Sequence, residues 1–221
     1  SYQFYNTFPF FPNHAEIKIE GNQDIGKGSI EAGCFIPMSN RLNKGLSIRF
    51  FAGTFFYNKY DGLADFRFRL SDQGGSHDYT FDDTFLNRNG EIGTFSGNQL
   101  SIADGGFSFP TPVGQTSKYL VSLNLKYSIP FQFPLSVFFD IGTYSGASDA
   151  FPGSVAIPYV AGLKLVLIKD AIEINFPVFW SDDIKSAAKL AGLKYGQCIT
   201  WTFNIKQFDP VYLLRNYRYY K

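Results

Sequence analysis

Long apolar segments are missing from this chain of 221 residues. A membrane-spanning helix needs roughly 18 or more apolar residues in a row, and no run in the sequence approaches that length. The best apolar candidate, Tyr127 to Phe139, is interrupted by Pro130 and Pro134. Because the mean hydropathy is also only −0.10, a transmembrane helix is excluded.

The chain also has almost no net charge and few cysteines. The chain carries 20 basic and 19 acidic residues, for a net charge of +1, and this balance argues against nucleic acid as a partner. Its two cysteines, Cys34 and Cys198, are too few for a disulfide framework. The sequence starts at Ser1 without a methionine or a signal peptide, so we expect a mature product or a fragment of a longer polypeptide.

Catalytic and metal-binding motifs are scarce too. The two histidines, His14 and His77, have no HExxH spacing, and no G-x-S-x-G occurs. Ser76, His77 and Asp78 are neighbours in sequence, but adjacency is not the geometry of a triad. Four acidic residues of the same region are expected to be solvated loop carboxylates rather than calcium ligands: Asp78, Asp82, Asp83 and Glu91. We therefore predict no enzymatic activity, cofactor or metal in this chain.

Aromatic side chains in an alternating pattern are abundant. Aromatic residues make up 19% of the sequence and charged residues 18%, a balance unlike that of disordered or highly charged soluble chains. In the stretch Lys118 to Ile129, Leu123 and Leu125 lie on one face of an extended chain. Asn124 and Lys126 lie on the other face. This period of two is typical of β-strands that separate two environments.

The alternation predicts about ten strands. The clearest are 45–57, 118–129, 135–142, 172–178 and 199–205, and the weaker ones are 15–20, 29–35, 66–70, 100–109 and 159–167. Helix-forming composition is confined to Asp182 to Leu193, which begins with acidic residues, so we predict one short loop helix there. Each strand and its connection together take up about 22 residues, which is a typical length for a small transmembrane β-barrel.

A soluble sandwich or barrel would alternate in the same way with its two faces reversed. The aromatic residues favour the membrane, because they cluster near strand ends as interfacial girdles do. Examples are Phe55, Phe56, Tyr57, Phe131, Phe133, Tyr144, Phe176, Phe179 and Trp180. We predict an all-β fold with a single domain over residues 1–221. This domain is a transmembrane antiparallel β-barrel of about ten strands, within a range of eight to twelve, in the outer membrane of a Gram-negative bacterium.

In such a barrel, the charged residues opposite the apolar stripes line the lumen. The predicted lumen residues are Glu16, Lys18, Glu31, Arg49, Arg67, Arg69, Lys126, Asp140, Lys164 and Glu173. About ten strands enclose a narrow lumen, so we expect these charges to pair across it and close it. The alternative is a wet lumen in which each charge is separately hydrated.

Three stretches lie outside the regular pattern: a lead-in at 1–13, a long segment at 71–98 and a tail at 207–221. The long segment is expected to be a loop or a plug that fills the lumen. Alternatively, short strands near 78–85 and 91–95 within it would raise the count to twelve. The Tyr-rich tail offers a contact surface for a partner, or lies at the membrane interface as an aromatic belt.

Several sequence blocks, taken in order, look like the C-terminal region of M1-type metallopeptidase-like proteins of Bacteroidetes. They are GLSIRFFAGTFFYN (45–58), DYTFDDTFLNRNG (78–90), DGGF (104–107), FFDIGTYSGA (138–147), IKDAIEINFPVFWSDDIK (168–185), LKYGQCITWTFNI (193–205) and DPVYLLRNY (209–217). The resemblance implies an outer-membrane protein in which a peptidase-like zinc domain precedes the barrel. That domain's HExxH motif and distant glutamate are not in this sequence, so no catalytic residue can be carried over.

The segment Lys194 to Trp201 also resembles the signal by which the outer-membrane assembly machinery recognises a last strand. Its positions here are Gly196, Ile199, Trp201 and Phe203. The chain departs from the usual pattern because a tail follows Phe203, whereas many barrels end on an aromatic residue.

Together these observations predict a membrane anchor or platform for an attached domain or for partner proteins. The expected partners are outer-membrane lipid, the assembly machinery during biogenesis, and further outer-membrane or periplasmic proteins. Two alternatives are a small plugged pore and an outer-membrane hydrolase with its site in the barrel mouth.

Overall fold

The fold is taken from a computed structural model of the chain. It describes residues 2–6, 13–38, 44–60, 65–73, 75, 78–79, 81, 83–88, 91–130, 133–147, 155–168 and 171–204. His77, Asp82 and the predicted tail at 207–221 lie outside these residues.

Nine strands form a curled wall. In chain order they are β1 (Tyr2–Asn6), β2 (Asn13–Gly21), β3 (Ile25–Pro37), β4 (Gly45–Asn58), β9 (Tyr119–Ser128), β10 (Leu135–Tyr144), β11 (Tyr159–Ile168), β12 (Ile172–Trp180) and β13 (Thr200–Phe203). Four short strands lie between β4 and β9: β5 (Phe68–Arg69), β6 (Asp72–Gln73), β7 (Gln99–Ser101) and β8 (Gln115–Thr116). The prediction of a mostly β fold is confirmed.

The wall strands pair antiparallel in the order β1-β2-β3-β4-β9-β10-β11-β12-β13. The sheet continues through β7, which pairs parallel with β13, to β6, while β5 and β8 form a separate pair. Among the described residues, β1 and β6 each have a neighbour on one side only, so the sheet is a half-barrel.

Two predicted wall strands are wrong. In the predicted strand 66–70 only Phe68–Arg69 is extended and paired. In the predicted strand 100–109 only the last two residues of β7 (Gln99–Ser101) are extended and paired, and neither stretch lies in the wall. The described residues of 78–85 and 91–95 form no strand either.

Antiparallel pairing puts the connections 7–12, 38–44, 129–134 and 169–171 at one end of the wall, here called the short-turn end. The connections 22–24, 59–118, 145–158 and 181–199 lie at the other, the long-loop end.

The connection between β4 and β9 packs inside the curl, and we call residues 65–118, where described, the plug segment. Its apolar side chains Phe68, Leu70 and Phe107 are at most 2% exposed, and they join the wall residues Phe51 and Phe138 in one buried cluster. Small wall residues make room for it. A Cβ on Gly142 of β10 would lie 2.7 Å from Leu70 Cδ2.

The predicted loop helix exists and is shorter than expected. Helix α1 spans Asp182–Leu190, with two aspartates in its first turn, where negative charge is favoured by the helix dipole. It ends before Gly192, whose φ of +65° belongs to the left-handed region that commonly stops helices. Ile184 and Ala187 join the buried cluster, so α1 covers the plug at the long-loop end. No helix in the described part of the chain is long and apolar enough to cross a membrane.

Candidate functional site

The wall buries its polar face and exposes its apolar face. On β10, Ser136, Phe138 and Asp140 point inward and are at most 2% exposed, whereas Val137 and Phe139 between them are exposed. The same inversion is seen on β11 and β12, where Lys164, Glu173 and Asn175 are buried while Leu163 and Val178 are exposed. The inner surface of the curl is therefore the polar one, and it is the candidate site.

One ion pair joins two neighbouring strands on this inner surface. Arg49 Nη2 on β4 donates to Glu31 Oε2 on β3 at 2.6 Å. The ring of His14 on β2 approaches the other oxygen, with Nε2 3.3 Å from Glu31 Oε1. Glu31 thus has cationic or polar partners on both oxygens.

A second ion cluster lies across the curl from the first. Glu173 on β12 receives Lys126 Nζ from β9 at 2.7 Å and Lys164 Nζ from β11 at 3.1 Å. Two strands separate Lys126 from Glu173 in the sheet. The lysine side chain therefore reaches across the concave side of the sheet.

Asn124 of β9 holds the plug segment against the wall. Its Nδ2 donates to Gly105 O at 3.0 Å and to Asp140 Oδ1 at 3.0 Å, while its Oδ1 accepts from Arg49 Nη1 at 3.0 Å. The plug comes very close here, because a Cβ on Gly106, which has a φ of +63°, would lie 2.6 Å from Arg49 Nη1. Glycine is therefore strongly favoured at this position.

A second set of bonds ties the plug to the strands β10 and β13, and β12 supports β13 from the side. Ser108 N donates to Asp140 Oδ2 at 2.8 Å, and Thr200 Oγ1 donates to Ser108 O at 3.0 Å. Asn175 Nδ2 donates to Thr200 Oγ1 at 2.9 Å. Asn124, Asn175, Ser108 and Thr200 are absent from the predicted lumen residues. The alternation placed Asn124, Asn175 and Thr200 on the polar face, but nothing in the sequence indicates which backbone atoms they would meet.

A cavity of about 520 Å³ lies between this polar wall and the plug. Its lining includes Glu31, Arg49, Lys126, Lys164, Glu173 and Asn175. Further lining comes from Phe35 and Ser47, which lie where β3 ends and β4 begins. The cavity therefore extends toward the short-turn end, and the plug residues Gly106 to Ser108 form its floor.

Asp140 also lines this cavity, whereas the other four predicted lumen residues lie apart from it. Glu16 and Lys18 are half-buried on β2, where Glu16 is in register with Glu31 and Lys18 Nζ lies 3.2 Å from Glu20 Oε1. Arg67 and Arg69 are not wall residues. Both pair with Asp65 at the start of the plug segment, and Arg67 is exposed. Their predicted place on the wall is wrong because the stretch 66–70 is not a wall strand.

The predicted assembly-signal residues occupy two kinds of structure. Gly196 lies in a short 3-10 helix, Tyr195–Cys198, followed by Ile199. Trp201 and Phe203 lie on β13 in register with Ile174 and Ile172, on the outward face. The Trp201 ring stacks on Phe95 at 4.7 Å between centroids, and its Nε1 donates to Phe95 O.

Two carboxyl groups of the plug, those of buried Asp72 and half-buried Asp104, have raised pKa values. Burial, together with the nearby Asp104 and Asp83 charges, raises the pKa of Asp72 to about 6, although Ser101 Oγ donates to its Oδ2 at 2.9 Å. Burial likewise raises the pKa of Asp104 to about 6. At Asp65 two arginines have the opposite effect and hold its pKa well below the usual range, although burial works against them.

The described residues contain no group of three or more His, Cys, Asp and Glu side chains that could hold a metal ion. Asp78 Oδ2 accepts from Arg88 Nη2 at 2.8 Å, so that carboxylate is engaged in an ion pair. No protein-family model matches the sequence, and comparisons with characterised proteins and with solved structures find no significant match.

Proposed function

We propose that this chain is an outer-membrane β-barrel region that acts as a membrane anchor and platform for an attached domain or for partner proteins. The observation that carries the proposal is the inverted burial of the wall. Apolar side chains such as Ile19 (73% exposed) and Phe179 (67%) face outward, while Lys164 (7%) and Glu173 (1%) face inward. In water this arrangement would expose an apolar surface around the sheet, whereas the lipid of a bilayer would cover that surface.

Strand length supports the same proposal. The wall strands from β2 to β12 have 9 to 14 residues, and about 9 to 11 tilted residues cross a bilayer. Exposed aromatic residues form a belt at the long-loop end: Phe56, Tyr57, Tyr119, Tyr159 and Phe179. Such belts lie at the level of the lipid headgroups.

The plug supports an anchor rather than an open channel. Apolar plug residues fill the long-loop end, and Asn124 and Asp140 bind plug backbone farther in. In outer-membrane barrels short turns face the periplasm and longer loops face outward. A platform would therefore present its long loops to the outside and its polar cavity to the periplasm.

The experiment that tests the proposal is cell fractionation followed by electrophoresis of boiled and unboiled outer-membrane samples, with an antibody to this chain. We expect the antigen in the outer-membrane fraction, with faster migration before boiling because a folded barrel is compact. A band much larger than 24.9 kDa would identify the chain as the anchor of a longer polypeptide. Recovery in the soluble fraction would overturn the membrane proposal.

The plug itself favours one second candidate, a pore that is closed in this conformation. The polar cavity below the plug and the ion clusters beside it are features that a gated pathway would need. No observation favours the hydrolase alternative. The ring of His14 faces Glu31, and His77 lies outside the described residues.

A further inference from the structure

We infer that the free edge of β1 is a docking site for the tail of this same chain, residues 207–221, which pairs there as a tenth strand of the wall. This inference rests on the proposed function, because it treats the curl as part of a membrane barrel. Backbone N–H and C=O groups without partners are not tolerated where a sheet edge faces lipid. Among the described residues, β1 has a neighbour on one side only.

The directions of the wall strands require one further strand. Each of the nine strands is antiparallel to its neighbours, so β1 and β13 run in the same direction. Direct pairing of these two would make a parallel junction, whereas bacterial barrels consist of an even number of antiparallel strands. A segment that turns back after β13 runs in the direction that is needed between them.

The edge of β1 is the one that offers this segment a backbone partner. β13 already pairs on its far side with β7, at Trp201 and Thr202. β6, at the other end of the sheet, consists of Asp72 and Gln73 alone. β1 pairs with β2 along its whole length, from Tyr2 to Asn6, and offers its opposite side over the same length.

The tail also leaves the wall at the end that the inference requires. Phe203 of β13 is in register with Ile172, the first residue of β12, so β13 ends at the short-turn end. β1 ends there as well, since Asn6 is in register with Asn13, the first residue of β2. The tail therefore starts beside the end of β1 and has only to turn back along it.

The length and composition of the tail fit a strand that crosses a bilayer. Asp209 and Pro210 form a dipeptide that favours a turn, and proline is tolerated at the first position of a strand. Residues 211–220 then match the 9 to 11 or so that cross a bilayer at a tilt. Tyr217 and Tyr220 would arrive at the long-loop end, at the level of the aromatic belt.

The opening of the half-barrel leaves apolar side chains of the plug uncovered beside β7. Leu86 is 63% exposed and Ile102 is 56% exposed. Leu86 N donates to Gln99 Oε1 of β7 at 2.8 Å, and Ile102 directly follows that strand. A strand on the edge of β1 that carries Leu213 and Leu214 extends the wall toward this surface and reduces its contact with the surroundings.

The test is disulfide trapping of the full chain in outer membranes, in a background of Cys34→Ala and Cys198→Ala. Tyr2→Cys on β1 is combined in turn with one cysteine at each of the positions 207–219, and an oxidant is added. Residues directly opposite in an antiparallel pair have Cβ atoms about 4.5 to 5.5 Å apart, which is close enough for a disulfide to form with small adjustments.

The matched control replaces Tyr2→Cys by Ile30→Cys. Ile17 is in register with both Tyr2 and Ile30, so the two probes lie in one row of the wall, and both wild-type side chains are exposed. Ile30 lies on β3, however, with β2 between it and β1. A tail that is paired with β1 cannot reach it.

A second probe makes the antiparallel register testable. Asn6→Cys moves the cysteine four residues along β1 toward the short-turn end, so the responding position must move four residues back along the tail. Its matched control is the native Cys34, which lies in the same row through Asn13. Should Tyr2→Cys fail to assemble, Asn6→Cys and its control decide alone.

We expect Tyr2→Cys to shift most of the chain to a faster, reducible band at one tail position, with weaker shifts two residues to either side. The controls should give no shift. The inference is overturned if folded variants cross-link at no tail position, if the controls react as readily, or if both probes select the same tail position. A reducible band at twice the chain mass as the sole product would also overturn it, because a second copy would then occupy the edge.

The outcome also separates this inference from the membrane proposal. Electrophoresis of unboiled samples establishes for every variant whether a barrel has folded. A wild-type chain that gives no heat-modifiable band would count against the membrane proposal. A heat-modifiable band without the cross-link would count against the docking of the tail alone.

Discussion

At the scale of single residues, the polar groups of this protein are buried where a soluble β-protein would have leucine and valine. Such groups are stable inside only when they are bonded, and most of these have partners within a few ångströms. Arg49 shows how closely these contacts depend on one another, because its side chain donates to Glu31 and Asn124 and also lies close to Gly106 of the plug. Its face could be predicted from parity, whereas its partners on the plug could not.

A prediction at this scale concerns Asp72 and Asp104, which lie in the plug outside the spanning strands. Their pKa values of about 6 in the folded protein exceed the ordinary value of 3.8. The folded state therefore binds more protons between about pH 4 and pH 6, and the stability of the plug falls as the pH rises through this window. We expect hydrogen exchange of residues 72–73 and 99–105, corrected for its intrinsic pH dependence, to be slower at pH 5 than at pH 7.5.

The double variant Asp72→Asn with Asp104→Asn is the control for that measurement. Asparagine keeps an acceptor for Ser101 and for Arg69 N, and it tolerates the φ of +45° at position 104. We expect its corrected exchange to be independent of pH over this range. Asp65 does not interfere, since its lowered pKa places its titration at a more acidic pH. A pH dependence that persists in the double variant would assign the effect to other groups.

At the scale of elements, the strands with strict alternation form where the sequence predicts them. The errors lie in the plug and in the predicted lead-in 1–13, where β1 (Tyr2–Asn6) forms a strand of the wall. The predicted strand 100–109 contains apolar residues at alternate positions, Phe107 and Phe109. These side chains pack into the interior of the curl and do not lie on one face of a sheet. The chain therefore turns at Asp104 and Gly106 instead of extending. Alternation cannot distinguish a wall strand from a folded segment that inserts two rings into a core.

The face assignment of β9 leads to a second prediction. Leu123→Arg would place a charge on the outward face near the middle of the strand, at a cost of about 2 to 4 kcal/mol in a bilayer. Thr202→Arg is the matched control, because Thr202 lines the polar cavity in register with Glu173. Asn124, the inward neighbour, is unsuitable as a control because it binds the plug.

We expect the Leu123→Arg protein to be degraded or missing from the outer membrane, and the Thr202→Arg protein to assemble. The measurement is the amount of heat-modifiable band in the membrane fraction. Equal assembly of the two variants would contradict the lipid-facing assignment of β9.

At the scale of the whole molecule, removing two predicted strands from the wall gives a consistent topology. Apart from the short turn 22–24, the shorter connections lie at one end, and the plug-bearing connection lies with the other long loops at the opposite end. This separation is typical of outer-membrane barrels. The plug and helix α1 fill the long-loop end, while the cavity occupies the interior toward the short-turn end.

A third prediction follows for planar-bilayer recording. We expect the wild-type chain to be silent at all voltages, because apolar plug residues block the path between the cavity and the long-loop end. Discrete conductance whose ion selectivity reverses in Lys164→Glu would favour the pore instead, since Lys164 lines the cavity. Charge reversal at Arg67 is the control, because this residue pairs with Asp65 on the plug segment.

The sequence by itself determined the mostly β fold, the long strands, the short helix and which side chains share a face, because these depend on local periodicity. Only the tertiary structure decided which residues enter the lumen, since the path of the plug depends on packing between segments far apart in the chain. It also decided that Asn124, Asn175 and Thr200 are central to the site. Their role arises from the backbone atoms that the fold brings to them, and a hydrogen bond between distant segments leaves no trace in the spacing of residues.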